Sequence, residues 1–453
     1  MIKIFRSLSA GLFLLGMQTA AAESLIDIYR QALQADPQLK SSELNVEIGA
    51  AQKGQALGQL LPQISANANW SENKLNYQNV GSQDYRGTRY FISMTQTLID
   101  FAKFWNWRRA AEVENQYEAQ KIEAQHELMF NVVDRYFSVL EAEDQLYFLQ
   151  TEKSATEKQL EQIKKQYDKH LIKITDLYEA EARLDQIEAD AIEAESILVT
   201  VKQSLKELTN SSPEDLEKLK EEVVYQNLEG ALEEWVEVAK SENPSLAAQL
   251  SAIEAARNDL AAQKSRYLPV VDFQLQYYDT NTGFQQSRTP QTETQVAAIN
   301  VSMPIFTGGT TTHRMFEAQS RVDLALQENE ARVRALIKET SDSFLSTNAS
   351  VRRIEASEKA IESAVKSREA MERGFQYGVA TVRDVLVAQQ AEFLAKRNLS
   401  RAKYSYIKNR IRFMRAIGLI TEENLWEINE WLAPRLESDN SELTADLKIG
   451  VSP

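Results

Sequence analysis

Two long stretches of this chain lack the residues that end helices. No glycine occurs between Thr88 and Glu229, and no proline between Gln63 and Ser212 or between Ile305 and Ala433. Stretches of this kind, rich in Ala, Glu, Lys, Gln and Leu, favour long helices. A helix from Phe101 to about Lys169 would be roughly 100 Å long at 1.5 Å per residue. A globular domain cannot enclose such a rod, so the chain is predicted to be elongated.

Strand-forming residues gather in two segments between the predicted helices, 62–100 and 269–307. Apolar and polar side chains alternate there, which is typical of strands with one apolar face. We interpret each segment as a β-hairpin whose two strands are joined by a polar loop, Ser71–Arg89 in the first and Asp279–Gln295 in the second.

The chain is an internal repeat. Asp36-Pro37 recurs as Asn243-Pro244 and Leu61-Pro62 as Leu268-Pro269, both 207 residues later, and Asp176 recurs as Asp384 after 208. Each half is predicted to contain a helix, a hairpin, a long helix, a turn and a second helix. The first repeat would span 23–228 with its turn near 170–176, and the second 229–435 with its turn near 378–384.

The two ends of the chain carry different signals. Residues 1–22 contain Lys3 and Arg6, an apolar run and three final alanines, the pattern of a secretory signal peptide. Without them, 49 basic and 66 acidic residues remain, a net charge of −17. That charge argues against a nucleic-acid partner. The polar segment 436–453 is expected to be a disordered tail.

The hairpins suggest a membrane barrel. Four strands per chain cannot close a barrel, and an open sheet edge in lipid leaves backbone groups unpaired at several kcal/mol each. Two or three chains would have to supply the missing strands, and three would leave room for water. A soluble β-sandwich on a coiled coil remains an alternative, because barrel strands give a weak sequence signal.

These features together resemble the TolC-type outer-membrane efflux proteins, over nearly the whole chain. The likeness rests on the two Asx-Pro and two Leu-Pro pairs, the strand ends Leu98-Ile99-Asp100 and Met303–Gly309, and the two turns that precede Asp176 and Asp384. The resemblance implies a mostly α fold with a β membrane domain. Long α-helical hairpins would form a coiled-coil-like barrel, and four strands per chain would complete a twelve-stranded trimeric β-barrel.

The resemblance also implies a function. It predicts a homotrimer in outer-membrane lipid, with a helical domain in the periplasm. This channel would receive cargo from a periplasmic adaptor and an inner-membrane pump or ABC exporter of type I secretion. The alternative is a periplasmic or surface coiled-coil scaffold without a pore. The sequence indicates no enzyme, cofactor or metal site, since the chain has no cysteine and its three histidines lie far apart.

The family's periplasmic gate lies at the turns, which places Asp176, Asp384, Arg383 and Phe375 there. Three Asp384 carboxylates around a narrow lumen would attract cations. For Asp176, helix capping and lumen exposure both stay open. The tyrosine of the family's latch is replaced by Phe375, its arginine by Ala380 and a second acid by Val387. We therefore expect fewer polar links, with Arg383 pairing with Asp176 or Asp384.

The turn loops and the strands supply the remaining candidate residues. The loops contain His170, Leu171, Gly378 and Val379, which are expected to contact the adaptor. Gly378 fits a turn with positive φ, whereas His170 lacks that freedom, so the two turns are expected to differ in shape. Five aromatic residues are candidates for the membrane-interface belts: Trp70, Tyr90, Tyr277, Tyr278 and Phe306.

Overall fold

A computed structural model describes residues 22–77, 81–213, 215–283 and 287–433. The predicted polar tail and the predicted signal peptide, apart from Ala22, lie outside these residues. The helices are α1 Leu25–Ala35, α2 Pro37–Gly58, α3 Phe101–Asp168, α4 Ile174–Thr209, α5 Leu232–Glu242, α6 Pro244–Ser265, α7 Thr310–Gln376, α8 Val382–Ala416 and α9 Glu422–Glu430. The strands are β1 Gln63–Tyr77, β2 Gly81–Ile99, β3 Lys218–Leu219, β4 Val270–Thr282, β5 Arg288–Ser302 and β6 Leu432–Ala433.

The longest helix, α3, has the predicted length, and α7 is nearly as long. α3 has 68 residues and α7 has 67, so each is about 100 Å long at 1.5 Å per residue. Asp100 begins α3, because its carboxylate accepts a hydrogen bond from the Lys103 amide at 3.1 Å.

Each Asx-Pro pair breaks a helix in two. Asp36 accepts from the Leu39 amide at 2.7 Å and Asn243 from the Ser245 amide at 3.0 Å, and a proline follows each as the first helical residue. This geometry caps the new helix and ends the old one, because proline cannot donate to the preceding turn. The Asn243 amide also donates to the Ala416 carbonyl at 2.9 Å, which joins the start of α6 to the end of α8.

Four helices pack side by side below the sheet. α3 lies between α2 and α6, and α6 lies between α3 and α7. We call this layer the upper wall. Toward the other end, α3 packs on α4, and α7 on α8, as two helical hairpins.

A second layer packs against the middle of the long helices. We call it the collar, and it consists of α1, α5, α9, β3 and β6. β3 pairs with β6, and Glu23 bridges to Leu216, so the two ends of the described chain meet the linker between the repeats. The largest hydrophobic cluster lies here, with Tyr136 and Tyr406 buried and their hydroxyls bonded to backbone carbonyls. The sequence analysis missed the collar.

The four long strands form one antiparallel sheet in the order β1-β2-β4-β5. Within the described residues, β1 and β5 each have a partner strand on one side only. The predicted loops Ser71–Arg89 and Asp279–Gln295 are wrong. Pairing continues to Tyr77↔Gly81 in one hairpin and Thr282↔Arg288 in the other. The strands continue beyond the residues that form the apolar face, because their backbone hydrogen bonds do not require apolar side chains.

Candidate functional site

The two helical hairpins end together, far from the sheet. Their turns, 169–173 and 377–381, and the flanking helix ends form what we call the tip. A small hydrophobic cluster holds the hairpins against each other: Leu160, Ile163, Leu177, Ala180, Val382 and Leu386. Phe375 is half-buried against this cluster. The structure therefore places the predicted gate residue in apolar packing between two hairpins of one chain.

The two turns have the same shape, so the expected difference between them is wrong. φ is +57° at His170 and +73° at Gly378, both in the left-handed region. In both turns the following amide, of Leu171 or Val379, bonds at 2.9 Å to a carbonyl five residues earlier. Histidine adopts this φ at a modest cost because two closing hydrogen bonds hold the turn.

The loop side chains project away from the tip. Leu171 is 69% exposed, while Val379 and Tyr377 are each 82% exposed. Exposed apolar side chains on both loops of the tip are typical of a contact surface. Leu171 and Val379 were predicted from the sequence to lie at this surface, whereas Tyr377 was not.

Asp384 is exposed and ionised in a reciprocal cap. Its carboxylate accepts from the Thr381 amide at 2.9 Å and from the Thr381 hydroxyl at 2.7 Å, and its own amide donates to that hydroxyl at 3.2 Å. These hydrogen bonds hold the pKa of Asp384 below its ordinary value. Asp176 starts α4 in the corresponding way, since its carboxylate accepts from the Lys173 amide at 3.3 Å. Capping, one of the two alternatives left open for Asp176, is therefore present.

Arg383 pairs with neither of the predicted partners. Its Nε lies 3.6 Å from Glu179 Oε1, so it links α8 to α4 across the hairpins. Both predicted aspartates are engaged with the first turn of their own helices. Of the two other departures from the family pattern, Val387 is 57% exposed and Ala380 packs against Gly374.

Two buried ion pairs above the tip were missed by the sequence analysis. Glu152 on α3 is 2% exposed and accepts from Arg183 on α4. Glu392 on α8 is 6% exposed and accepts from Arg368 on α7 at 2.5 Å. Charged runs on long helices are usually solvated faces. These two carboxylates differ from the exposed ones only because the packing of the hairpins buries them.

The register of the sheet decides which aromatic residues share a face. Tyr90 lies opposite Ala68, and Tyr277 opposite Ile92, so both belong to the apolar face with Trp70. The Trp70 and Tyr90 rings make an edge contact with centroids 5.8 Å apart. Tyr278 is opposite Phe91 on the polar face, stacked at 4.6 Å, so its assignment to an outer belt is a mistake.

The loop and helix residues next to the lower end of the sheet include further aromatic side chains. Phe306 is 88% exposed at the end of the sheet. The first turns of α3 add aromatic residues that the sequence analysis missed: Phe101, Phe104, Trp105 and Trp107. The run FAKFWNWRR was the available signal, because clustered aromatic and basic residues are typical of an interface. The strand extends about 30 Å from Tyr90 to Ile99. In a membrane barrel whose strands tilt by about 40°, this length would project to about the height of the apolar band, which is about 25 Å.

Two features are absent from the described residues. None of the helices among them has a stretch long and apolar enough to cross a bilayer. Nor do these residues bring three or more His, Asp or Glu side chains together in a way that would hold a metal ion.

Comparison with known proteins gives a consistent result. The model of the family described as outer membrane efflux protein matches residues 28–211 and 235–419, one match per repeat. The chain is 31% identical to the outer membrane protein TolC of Vibrio cholerae, over 91% of this chain and 94% of that protein. It is 26% identical to the alkaline protease secretion protein AprF of Pseudomonas aeruginosa, over 92% and 89%. The CmeC outer membrane channel of Campylobacter jejuni has the same fold, with a TM-score of 0.76 at 16% identity, over 95% and 98%.

Proposed function

Because this chain belongs to the outer membrane efflux protein family, we propose that its tip is both the gate of the channel and the surface on which an adaptor docks. The protein is an outer-membrane channel for efflux or type I secretion, with its helical domain in the periplasm. TolC-type channels are homotrimers that work with adaptor proteins and inner-membrane pumps. Three copies of the four-stranded sheet make the twelve-stranded barrel of this fold.

The gate assignment depends on one observation, the exposed and ionised Asp384 at the far end of both rods. A threefold axis turns this residue into a ring of three carboxylates. Their charges repel one another and attract cations when the tunnel narrows around them. The hydrogen bonds from Thr381 lower the pKa of Asp384 and so oppose the rise in pKa that repulsion within the ring would cause.

The latch of this gate uses fewer polar links than the family pattern. Phe375 and Ala380 have no group that can form the usual hydrogen bonds, and Val387 supplies no second carboxylate. Apolar packing in the tip cluster and the Arg383–Glu179 pair take their place. A gate of this kind would open with a weaker dependence on salt than one closed by several exposed ion pairs.

Planar-bilayer recording of the detergent-extracted protein tests the gate. Wild type is expected to conduct in small, cation-preferring steps, and Asp384→Asn to reduce that preference while keeping an acceptor at the cap. Asp323→Asn, at an exposed aspartate on α7 remote from the tip, is the matched control and should resemble wild type. Equal selectivity in all three proteins would remove Asp384 from the gate, and silence from a folded trimer would argue against an open-pore function.

Site-specific crosslinking tests the docking surface. The chain has no cysteine, so Val379→Cys and Leu171→Cys each introduce a unique thiol. These variants should crosslink to the adaptor in intact cells that contain the cognate system. Ile122→Cys, exposed on α3 about 45 residues from the tip end of that helix, should not. Crosslinking at Ile122 but not at the tip would overturn the docking assignment.

A further inference from the structure

Two adjoining cavities open on the upper wall, close to the sheet. The larger has a volume of about 690 Å³ and is lined by residues of α2, α3, α6 and α7. The smaller, about 260 Å³, lies between α3, α6 and α7. Arginine side chains dominate the charged lining of the two cavities: Arg109, Arg266, Arg314 and Arg321. We call these four residues the arginine cluster.

The arginine cluster is only half neutralised. Arg109 pairs with Asp259 at 3.1 Å, and Arg321 with Glu317 at 2.6 Å. Among the residues that the structure describes, no carboxylate lies within ion-pair distance of Arg266 or Arg314. Each chain therefore keeps two surplus positive charges here, although acidic residues outnumber basic ones by 15 in the whole sequence.

The cluster faces the inside of the tunnel. A cavity bounded by four neighbouring helices lies on the concave face of the wall, and the concave face is the one that closes around the axis. The contacts of α7 agree with this orientation. Val333 packs against α5, whereas Arg332, about 100° away around the helix, pairs with Glu123 of α3 at 2.7 Å. Arg314 and Arg321 are 18 and 11 residues before Arg332. These separations are whole numbers of helical turns to within about 20°, so the three arginines lie on the same side of α7.

The cluster also lies at the outer end of the helical tunnel. Arg266 is the C-cap residue of α6, four residues before β4 begins, and Arg314 is in the second turn of α7. Arg321 is about 17 Å from the start of α7 at 1.5 Å per residue. The acidic ring at Asp384 is at the opposite end of the same rod.

We propose that the arginine cluster is an anion-binding station in the lumen, which takes small cargo molecules bearing two or more carboxylate or phosphate groups. The inference rests on the proposed channel function, which makes the concave face a path for cargo. Guanidinium groups bind oxyanions bidentately, and Arg266 and Arg314 are free to do so. Three chains together present six surplus charges around one passage, which raises the local concentration of anions.

Citrate is a suitable probe because it carries three carboxylates. Calorimetric titration of the detergent-purified trimer at low ionic strength should show citrate binding. The double variant Arg266→Gln/Arg314→Gln should bind at least ten-fold more weakly. Arg266→Lys/Arg314→Lys keeps the charge but loses the bidentate geometry, and should lie between the two. Citrate added on the sheet side of a bilayer should also reduce the wild-type current.

Arg257→Gln is the matched control. Arg257 is on the same helix as Asp259, about 200° away at two residues' separation, and so faces out of the tunnel, where it pairs with Glu254. This variant should bind citrate as wild type does. Absent binding in wild type, or equal weakening by Arg257→Gln, would overturn the proposal. Binding does not require conduction, so a silent channel that still binds citrate would contradict the channel function and leave the site intact.

Discussion

Arg383 and Glu179 join the two tip hairpins, with Nε and Oε1 3.6 Å apart. The side chains are 73% and 45% exposed, so the pair contributes less than about 1 kcal/mol. We expect Arg383→Ala and Glu179→Ala each to shift the thermal unfolding of the trimer slightly, and the shift to vanish in 1 M salt. A double-mutant cycle in low and high salt measures the coupling. A coupling above about 2 kcal/mol, or one insensitive to salt, would contradict this.

Thr381→Ala should change how the channel responds to acid. The hydroxyl of Thr381 helps to keep the pKa of Asp384 below the ordinary 3.8. Because the pKa of Asp384 is lower in the folded protein than in the unfolded chain, the carboxylate stays charged, and the cap stays formed, at pH values below the unfolded pKa. Both are lost as the pH falls through the folded pKa. Cation preference in Thr381→Ala should therefore disappear at a higher pH than in wild type, as reversal potentials would report. Thr175→Ala, beside Asp176 in the other turn, should leave that pH unchanged.

Removing Arg183 should be far more harmful than removing a surface lysine. Arg183→Ala leaves Glu152, 2% exposed, without its cationic partner, at an expected cost of about 3–5 kcal/mol. Glu152→Leu with Arg183→Met should recover most of this, since an apolar pair of similar size can replace a buried ion pair. Lys165→Ala, in an exposed pair with Glu161 on the same helix, should cost less than about 1 kcal/mol. Thermal unfolding of the detergent-solubilised proteins compares all three; equal stability of Arg183→Ala and wild type would be the contrary result.

Gly418 cannot accept a side chain. Its φ is +78°, and a Cβ atom would lie 2.5 Å from the Glu242 carbonyl oxygen at the junction of α5, α6 and α8. Gly418→Ala should therefore lower stability by more than about 2 kcal/mol, through overpacking and left-handed strain together. Gly54→Ala, with open space around a helical glycine of α2, should instead stabilise by about 0.5–1 kcal/mol. Helical circular dichroism during heating distinguishes the two, and a Gly418→Ala protein as stable as wild type would exclude the close contact.

His126 should make the middle of the molecule sensitive to acid. Burial lowers the pKa of His126 below the ordinary 6.5, so the unfolded chain takes up this proton at a higher pH than the folded chain. The contribution to stability is therefore complete above pH 6.5 and falls as pH drops from 6.5 to the lower folded value. His126→Gln should lose less stability between pH 7 and pH 5 than wild type does, as measured by thermal unfolding. The exposed His313→Gln should behave as wild type; identical pH dependence in all three proteins would refute the effect. The charged groups around His126 are Glu123, Glu127, Arg332, Glu339 and Arg415.

The sequence predicted the long helices and the two faces of the sheet because these depend on neighbouring residues. The end of α3 was expected near Lys169 and lies at Asp168, since a run without glycine or proline continues as helix until its turn. The strand ends were missed. Beyond Trp70 the apolar alternation stops, yet β1 pairs with β2 for seven more residues through its backbone.

The partners of charged side chains were not predictable in the same way. The local sequence around Arg383, Glu152 and Glu392 does not differ from that of charged residues on a solvated helix face. Their partners are on other helices, at positions set by how the hairpins pack. The face of Tyr278 likewise depended on the register between β2 and β4, which join different repeats.

Local sequence signals are enough to specify the repeat, the breaks at Asp36 and Asn243, the rods and the position of the tip. Each of these features follows from the backbone preferences of a few neighbouring residues, and each occurs twice because the sequence repeats after 207 residues. The collar and the arginine cluster depend instead on how distant segments of the chain pack together. The collar joins a linker to both ends through strands of two residues, too short to show a pattern. The four arginines are spread from Arg109 to Arg321, and curvature of the packed helices alone brings them to one side of the wall.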